Sequence, residues 1–272
     1  MTRGYFDVTD PGIESYSMAR HLAGVHGLAV LTIDHVGVGE SDQPHDGYAL
    51  TPAVIADVND HVVRSVLGQL GAGERPDGPG KPVELVPIGL GHSMGGLLAV
   101  HQQARHRTFA ALALLGFAGG GLRSALTDEE ASYADDPDGL AVALPALVAA
   151  RFGRPLPLGG TASSDFLIAG VSEPLARQAL ARTQGALLAL AGLTSMVPGS
   201  TAPALASIDV PVFFGVGEHD ITGDARVLPG QVPASGDVTL FVLAGSGHNH
   251  NIADNRQQLW DRVARWIDSV TG

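Results

Sequence analysis

Apolar positions along the chain switch between two spacings. Ile13, Tyr16, Ala19 and Leu22 recur at helical intervals within 13–23, and the mostly apolar run Leu28 to Ile33 then reads as a strand. Thr51-Pro52 supplies an N-cap and a first-turn proline for a helix to about Leu70, with Ile55, Val58, Val62 and Val66 along one face. Val83 to Leu90 reads as a buried strand, Leu97 to His106 as a helix, and Ala110 to Leu115, Val210 to Val216 and Val238 to Ala244 as further short strands. A last helix aligns Leu259, Val263, Trp266, Ile267 and Val270. Strands alternating with helices predict an α/β fold, a mostly parallel sheet flanked by helices that binds ligands at the carboxyl ends of its strands.

The alternation lapses between Gly119 and Ser207. Ala/Leu-rich helical pieces, Asp138 to Phe152 and Pro174 to Ala191, are separated there by Pro- and Gly-rich stretches such as Gly153 to Gly160. Residues 1–118 and 208–272 are therefore expected to form the core domain, and 119–207 a helical cap or lid inserted over a site. The plainer reading of that insertion is ordinary helical packing.

Composition narrows the classes of function. Of 272 residues, 45% are hydrophobic and only 16% charged, so a sizeable core is expected. A net charge of −12, with Lys81 the only lysine, argues against a nucleic-acid partner or an anionic membrane surface. The absence of cysteine excludes disulfides, thiolate metal sites and thiol nucleophiles, leaving oxygen-based nucleophiles. No apolar run suggests a signal core or a bilayer span, and a cytoplasmic location is the simplest expectation.

The candidate chemistry centres on Gly91-His-Ser-Met-Gly-Gly96, where a strand runs into a helix. In such an elbow the serine adopts a strained backbone and projects from the sheet, so positions two residues away need almost no side chain; Gly91 and Gly95 meet that demand, and Gly96 permits close helix packing. With 36 glycines in the chain the bare pattern can arise by accident, and its strand-to-helix context is what argues for Ser93. The Met94 amide, at the helix N-terminus, would face negative charge developing beside Ser93. A serine nucleophile needs a histidine base and an orienting carboxylate on later strand ends. Gly217-Glu-His-Asp-Ile-Thr-Gly-Asp224 and Gly245-Ser-Gly-His-Asn-His-Asn251 offer both, with Asp220 and His248 the leading pair; Glu218 and Asp224 compete for the acid and His250 for the base, while His219 and His92 read as neighbours. Asp34 and Asp42 are expected to hold their Gly-rich loop through side-chain hydrogen bonds.

These spaced motifs resemble the α/β-hydrolase fold superfamily, with Asp34-His-Val-Gly-Val-Gly-Glu-Ser-Asp42 similar to its D-x-x-G-x-G-x-S-D loop and the likeness running from Tyr5 to the C-terminus. The resemblance implies that Ser93 is the nucleophile, His248 the general base and then acid, and Asp220 the orienting carboxylate, with no cofactor and no metal. It also implies two oxyanion donors. Met94 would be one, and the nearest counterpart of the family's His-Gly pair, Arg3-Gly4, makes the Tyr5 amide the other. No strand precedes Tyr5, although the family places one between the strands at Leu28 and Val83. The expectation is that the chain begins downstream of its first strands, or else that Leu28 to Ile33 pairs directly with Val83 to Leu90.

The function implied is hydrolysis of a carboxylic ester, thioester or lactone with an apolar moiety through an acyl-Ser93 intermediate, the apolar group being received by cap residues such as Phe152, Phe166 and Met196. Two alternatives stand beside it: a carbon–carbon bond hydrolase using the same three residues, and a non-hydrolytic ligand-binding member of the fold. The expected partner is a small ester-like molecule, and a homodimer is compatible with the composition.

Overall fold

A computed structural model describes residues 2–8, 12–75, 78–159, 165–183 and 185–272. Its sheet has four parallel strands in sequential order: β1 (Ile88–His92), β2 (Ala111–Leu115), β3 (Val212–Gly217) and β4 (Val238–Leu243). Around it lie α1 (Met18–His26), α2 (Pro52–Gly71), α3 (Met94–His106), α4 (Asp128–Ala131), α5 (Pro137–Phe152), α6 (Pro174–Arg182), α7 (Ala189–Met196), α8 (Ala202–Ala206) and α9 (Arg256–Thr271).

Because side chains alternate across a strand, the sheet supports a core on each face. Leu112, Leu114, Phe214 and Val216 pack with Ile55 of α2 and Leu97, Leu98 and Val100 of α3. Ala111, Ala113, Leu115 and Phe213 face the other way, against Leu259, Trp260, Val263 and Trp266 of α9 and Met18 and Leu22 of α1. The helix predicted from Thr51 begins as expected, the Thr51 hydroxyl accepting from the Val54 amide. Its buried face is nonetheless rotated from the apolar stripe: Val58 is exposed, while Asn59 and Asp60 are buried. Polar partners explain this, since His35 pairs with Asn59 and the Thr108 hydroxyl donates to Asp60 at 2.6 Å.

Two expectations about strands fail on the same side of the molecule. Leu28 to Ile33 forms no strand and pairs with nothing in the sheet; Val30 and Leu31 are 42% and 47% exposed. The predicted strand Val83 to Leu90 narrows to Ile88–His92, and Val86 upstream of Pro87 is 56% exposed. A strand needs a partner for its backbone groups, and among the described residues none lies beyond β1. The direct pairing of Leu28 to Ile33 with the Val83 segment is therefore not formed.

Between β2 and β3 the chain is helical, with the expected 174–191 helix broken into α6 and α7. α5 and α7 share a small core of Leu140, Leu144, Leu147, Leu190 and Leu193. A different part of the same stretch is tied to the loop after β4: the Gly247 amide donates to Ala169 O and the Asn249 amide to Leu167 O, at 3.0 and 2.7 Å. Within 119–207, Ile168 and Val171 pack beside Tyr5, Ile13 and Ile252.

Candidate active site

The carboxyl ends of all four strands converge. β1 delivers Ser93 directly into α3, and Ser93 adopts φ 55°, ψ −125°, a conformation that disfavours a side-chain-bearing residue. The surrounding backbone enforces it: Ser93 donates its amide to Leu115 O at 2.8 Å, and a Cβ at Gly91 would stand 2.3 Å from Gly95 O. A Cβ at Gly96 would stand 2.7 Å from Phe117 Cβ, so both glycines are sterically required. Gly95 is not, because a methyl there would meet nothing within 4 Å.

The loops after β3 and β4 bring Asp220 and His248 to Ser93. His248 Nε2 lies 3.0 Å from Ser93 Oγ, and His248 Nδ1 lies 2.8 Å from Asp220 Oδ1. With Nδ1–H donating to the carboxylate, Nε2 carries the lone pair and Ser93 Oγ–H donates to it. The Asp220 side chain is 1% exposed. Burial alone would raise its pKa, but the His248 hydrogen bond and the nearby His248, His250 and His92 rings outweigh it and hold the carboxyl at about 2. Its second oxygen accepts from the Gly217 amide.

The competing residues separate by partner. Glu218 accepts from the Gly245 amide at 2.7 Å, bracing the β4 loop, and Asp224 caps a short 3-10 turn. His219 is exposed. His250 is 1% exposed, packs edge-on against His92, and neither ring nitrogen has a hydrogen-bond partner among the described residues. Burial first, with the His248 charge adding to it against the pull of Asp220, lowers its pKa to about 4. His92 is more than a neighbour: its Nε2–H donates to the main-chain carbonyl of His248 at 2.9 Å, tying the β1 end to the base's loop. Burial, then the His248 and His250 charges, hold it well below the usual histidine range.

Of the two expected oxyanion donors, Met94 opens α3 beside Ser93, but the Tyr5 amide is already engaged, donating to Thr2 O at 3.1 Å in a 3-10 turn. Tyr5 instead stacks its ring on His92, and its carbonyl accepts from Asn251 Nδ2 at 2.6 Å. Asp34 behaves as predicted, accepting from the Arg3 and Glu40 amides at 2.6 and 3.1 Å, whereas Asp42 uses its main-chain carbonyl, which accepts from Gly37.

A small, half-open cleft lies at Ser93, with Phe117, Leu122 and Ile221 as apolar walls and Ser195 and Thr222 as polar ones. Neither Phe152 nor Met196 lines it; Phe152 packs on the α5–α7 core. The Phe166 side chain lies outside the described residues. Thr222, not singled out in the sequence, presents a buried Oγ1 that has no partner among the described residues. Its position two residues past Asp220 was the only signal available.

A parallel sheet with a serine elbow and His and Asp on later strand ends defines a hydrolase-type α/β fold. The chain belongs to the alpha/beta hydrolase family, whose pattern matches residues 6–262. No curated protein matches it in sequence. Among solved structures it resembles a monoacylglycerol lipase from Paleococcus ferrophilus, with TM-score 0.65 and 17% identity over 94% of this chain and 90% of that one. A thermophilic esterase from Thermogutta terrifontis gives TM-score 0.62 and 14% identity over 100% and 87% of the two chains. A bromoperoxidase from Bacillus anthracis gives 0.58 and 16% over 93% and 86%. Identities this low speak for the fold alone.

Proposed function

We propose that the protein is a serine hydrolase that cleaves a carboxylic ester, thioester or lactone bearing an apolar moiety through an acyl-Ser93 intermediate. The observation that carries this reading is the unbroken chain of contacts Ser93 Oγ, His248, Asp220 on a positive-φ elbow. Ser93 attacks the carbonyl carbon as His248 Nε2 takes its proton. Asp220 keeps the imidazole in the required tautomer and stabilises the cation formed. The tetrahedral intermediate collapses as His248 returns the proton to the leaving alcohol, thiol or ring oxygen, and water then repeats the sequence on the acyl-enzyme. The Met94 amide donates to the developing oxyanion, aided by the positive end of α3. The Tyr5 amide is committed to Thr2 and takes no part; Thr222 lines the cleft, and its unpartnered hydroxyl would become a donor to bound substrate by turning toward it.

The apolar walls Phe117, Leu122 and Ile221 favour a hydrophobic acyl or alcohol group. The solved neighbours named above are an esterase, a lipase and a bromoperoxidase, so the ester reading rests on the cleft and the Ser93 contacts rather than on likeness. A fluorophosphonate probe followed by intact-mass analysis tests it. One adduct on Ser93, lost in Ser93→Ala and strongly slowed in His248→Ala, is expected, together with turnover of p-nitrophenyl esters. Folded protein that takes no adduct and turns over no ester would point to a non-hydrolytic ligand-binding role.

A further inference from the structure

On the sheet face opposite α3, three metal-ligating side chains meet away from Ser93. His21 and His26 both direct Nε2 at the same oxygen of Asp261, Oδ1, at 2.7 and 2.9 Å. Their ligating atoms all lie within 4.8 Å of one another, and the three side chains are half-buried, at 14%, 19% and 35% exposure. We propose that His21, His26 and Asp261 form a binding site for one divalent transition-metal ion of the zinc type, which fastens α1 to α9.

Two imidazole nitrogens and a carboxylate oxygen suit zinc, whose bonds to such ligands are about 2.0–2.2 Å long. Tetrahedral ligands at that radius lie about 3.3 Å apart, so the metal requires the present contacts to open by roughly half an ångström, a shift within side-chain reach. The proton balance is simple. Each neutral ring now donates Nε2–H to Asp261; on binding, each takes the other tautomer, its single proton moving through solvent to Nδ1 so that the Nε2 lone pair meets the metal with no net proton released, while the carboxylate contributes an oxygen and water completes the coordination.

The scaffold holds the donors in place. Asp261 sits on α9, which is buried against the sheet through Leu259, Trp260 and Val263, and the Trp260 ring lies 5.2 Å from that of His21. His26 is the last residue of α1, ahead of Gly27 at φ 68°. The two histidines are five residues apart, roughly 140° around an ideal helix, so their spacing alone does not reveal a shared ligand. The net charge of −12 favours accumulation of a cation at such a site.

Chelator-treated protein freed of any affinity tag, titrated with ZnCl₂ by calorimetry and followed by thermal unfolding, tests the site. The expected result is one equivalent bound per chain and a Tm rise of about 5 °C at saturating Zn²⁺. CoCl₂ should give the visible absorption of a low-symmetry Co²⁺ site. Asp261→Asn keeps an oxygen that accepts from both rings but removes the anionic ligand; it should leave the metal-free Tm nearly unchanged and weaken Zn²⁺ binding at least tenfold. His21→Gln should do the same, while Ser93→Ala and His248→Ala should bind as the parent does. The site is refuted if the parent takes up no Zn²⁺ at 100-fold excess, if Asp261→Asn binds as tightly as the parent, or if His248→Ala abolishes binding.

Discussion

The three glycines flanking Ser93 look alike in sequence and differ in what an added methyl group meets. At Gly91 the new Cβ would lie 2.3 Å from Gly95 O, about 0.7 Å inside the 3.0 Å limit that real Cβ atoms respect, and the obstacle is backbone that cannot rotate away. Overpacking costs about 1–3 kcal/mol, and a backbone collision belongs at the top of that range. For a chain of this length that corresponds to a Tm loss of about 6–12 °C. At Gly96 the contact is Phe117 Cβ at 2.7 Å, which also leaves little room. At Gly95 the methyl meets nothing within 4 Å, so alanine there gains up to about 1 kcal/mol of helix propensity. Alanine variants at the three positions, compared by thermal unfolding and by the rate of fluorophosphonate labelling, should therefore give two losses and one neutral or positive shift. If Gly95→Ala lost as much stability as Gly91→Ala, the steric account of the elbow would be wrong.

Three further outcomes follow from the site. His250 has its folded pKa lowered to about 4 against an unperturbed value of about 6.5, so the unfolded chain binds the extra proton and stability falls as pH drops from 6.5 towards 4. The His250→Phe variant should lack that component, about 3 kcal/mol at full development, when urea midpoints are compared at pH 7 and pH 4; parallel losses in both proteins would refute it. Asp220→Asn preserves shape but no longer enforces the His248 tautomer, and kcat on a p-nitrophenyl ester should fall about 10⁴-fold; a loss under tenfold would move the acid's role elsewhere, to Glu218 or Asp224. Thr222→Val removes a hydroxyl worth about 1 kcal/mol to a bound acceptor, so kcat/KM should drop about fivefold with unchanged Tm; unaltered kinetics would mean that the hydroxyl does not face substrate.

What the sequence made legible was whatever a short segment determines by itself. The Thr51 cap, the serine elbow and the succession of β1 to β4 follow from local spacing, whereas singling out Asp220 and His248 from Glu218, Asp224 and His250 rested on the resemblance to the hydrolase superfamily. What it hid depended on partners distant in the chain. Leu28 to Ile33 has the apolar content of a strand, yet Val30 and Leu31 stay exposed because no neighbouring backbone completes a ladder. Val58 lies on the predicted apolar stripe of α2, yet the buried face is set by Asp60 and Asn59 through Thr108 and His35, residues no periodicity could match to them. Phe117 and Ile221, which wall the cleft, carried no signal beyond following β2 and the acid.

The segment before α1 shows how a chain without a strand there satisfies its backbone groups. Tyr5 O accepts from Asn251 Nδ2, and Phe6 O accepts from the Ala19 amide at 2.9 Å. Ser15 O accepts from Arg256, whose guanidinium also lies 3.5 Å from the centre of the Tyr16 ring. Polar side chains from the region after β4 thus do for this segment what ladder hydrogen bonds do for a strand. Asn251 binds in both directions, since its Oδ1 accepts from Trp260 Nε1 at 2.7 Å while its amide group holds Tyr5. It stands three residues past His248, so the loop that carries His248, the N-terminal segment and α9 share one buried anchor. The N-terminal residues are thereby tied to the loop that carries His248, while the Tyr5 amide stays bonded to Thr2 O.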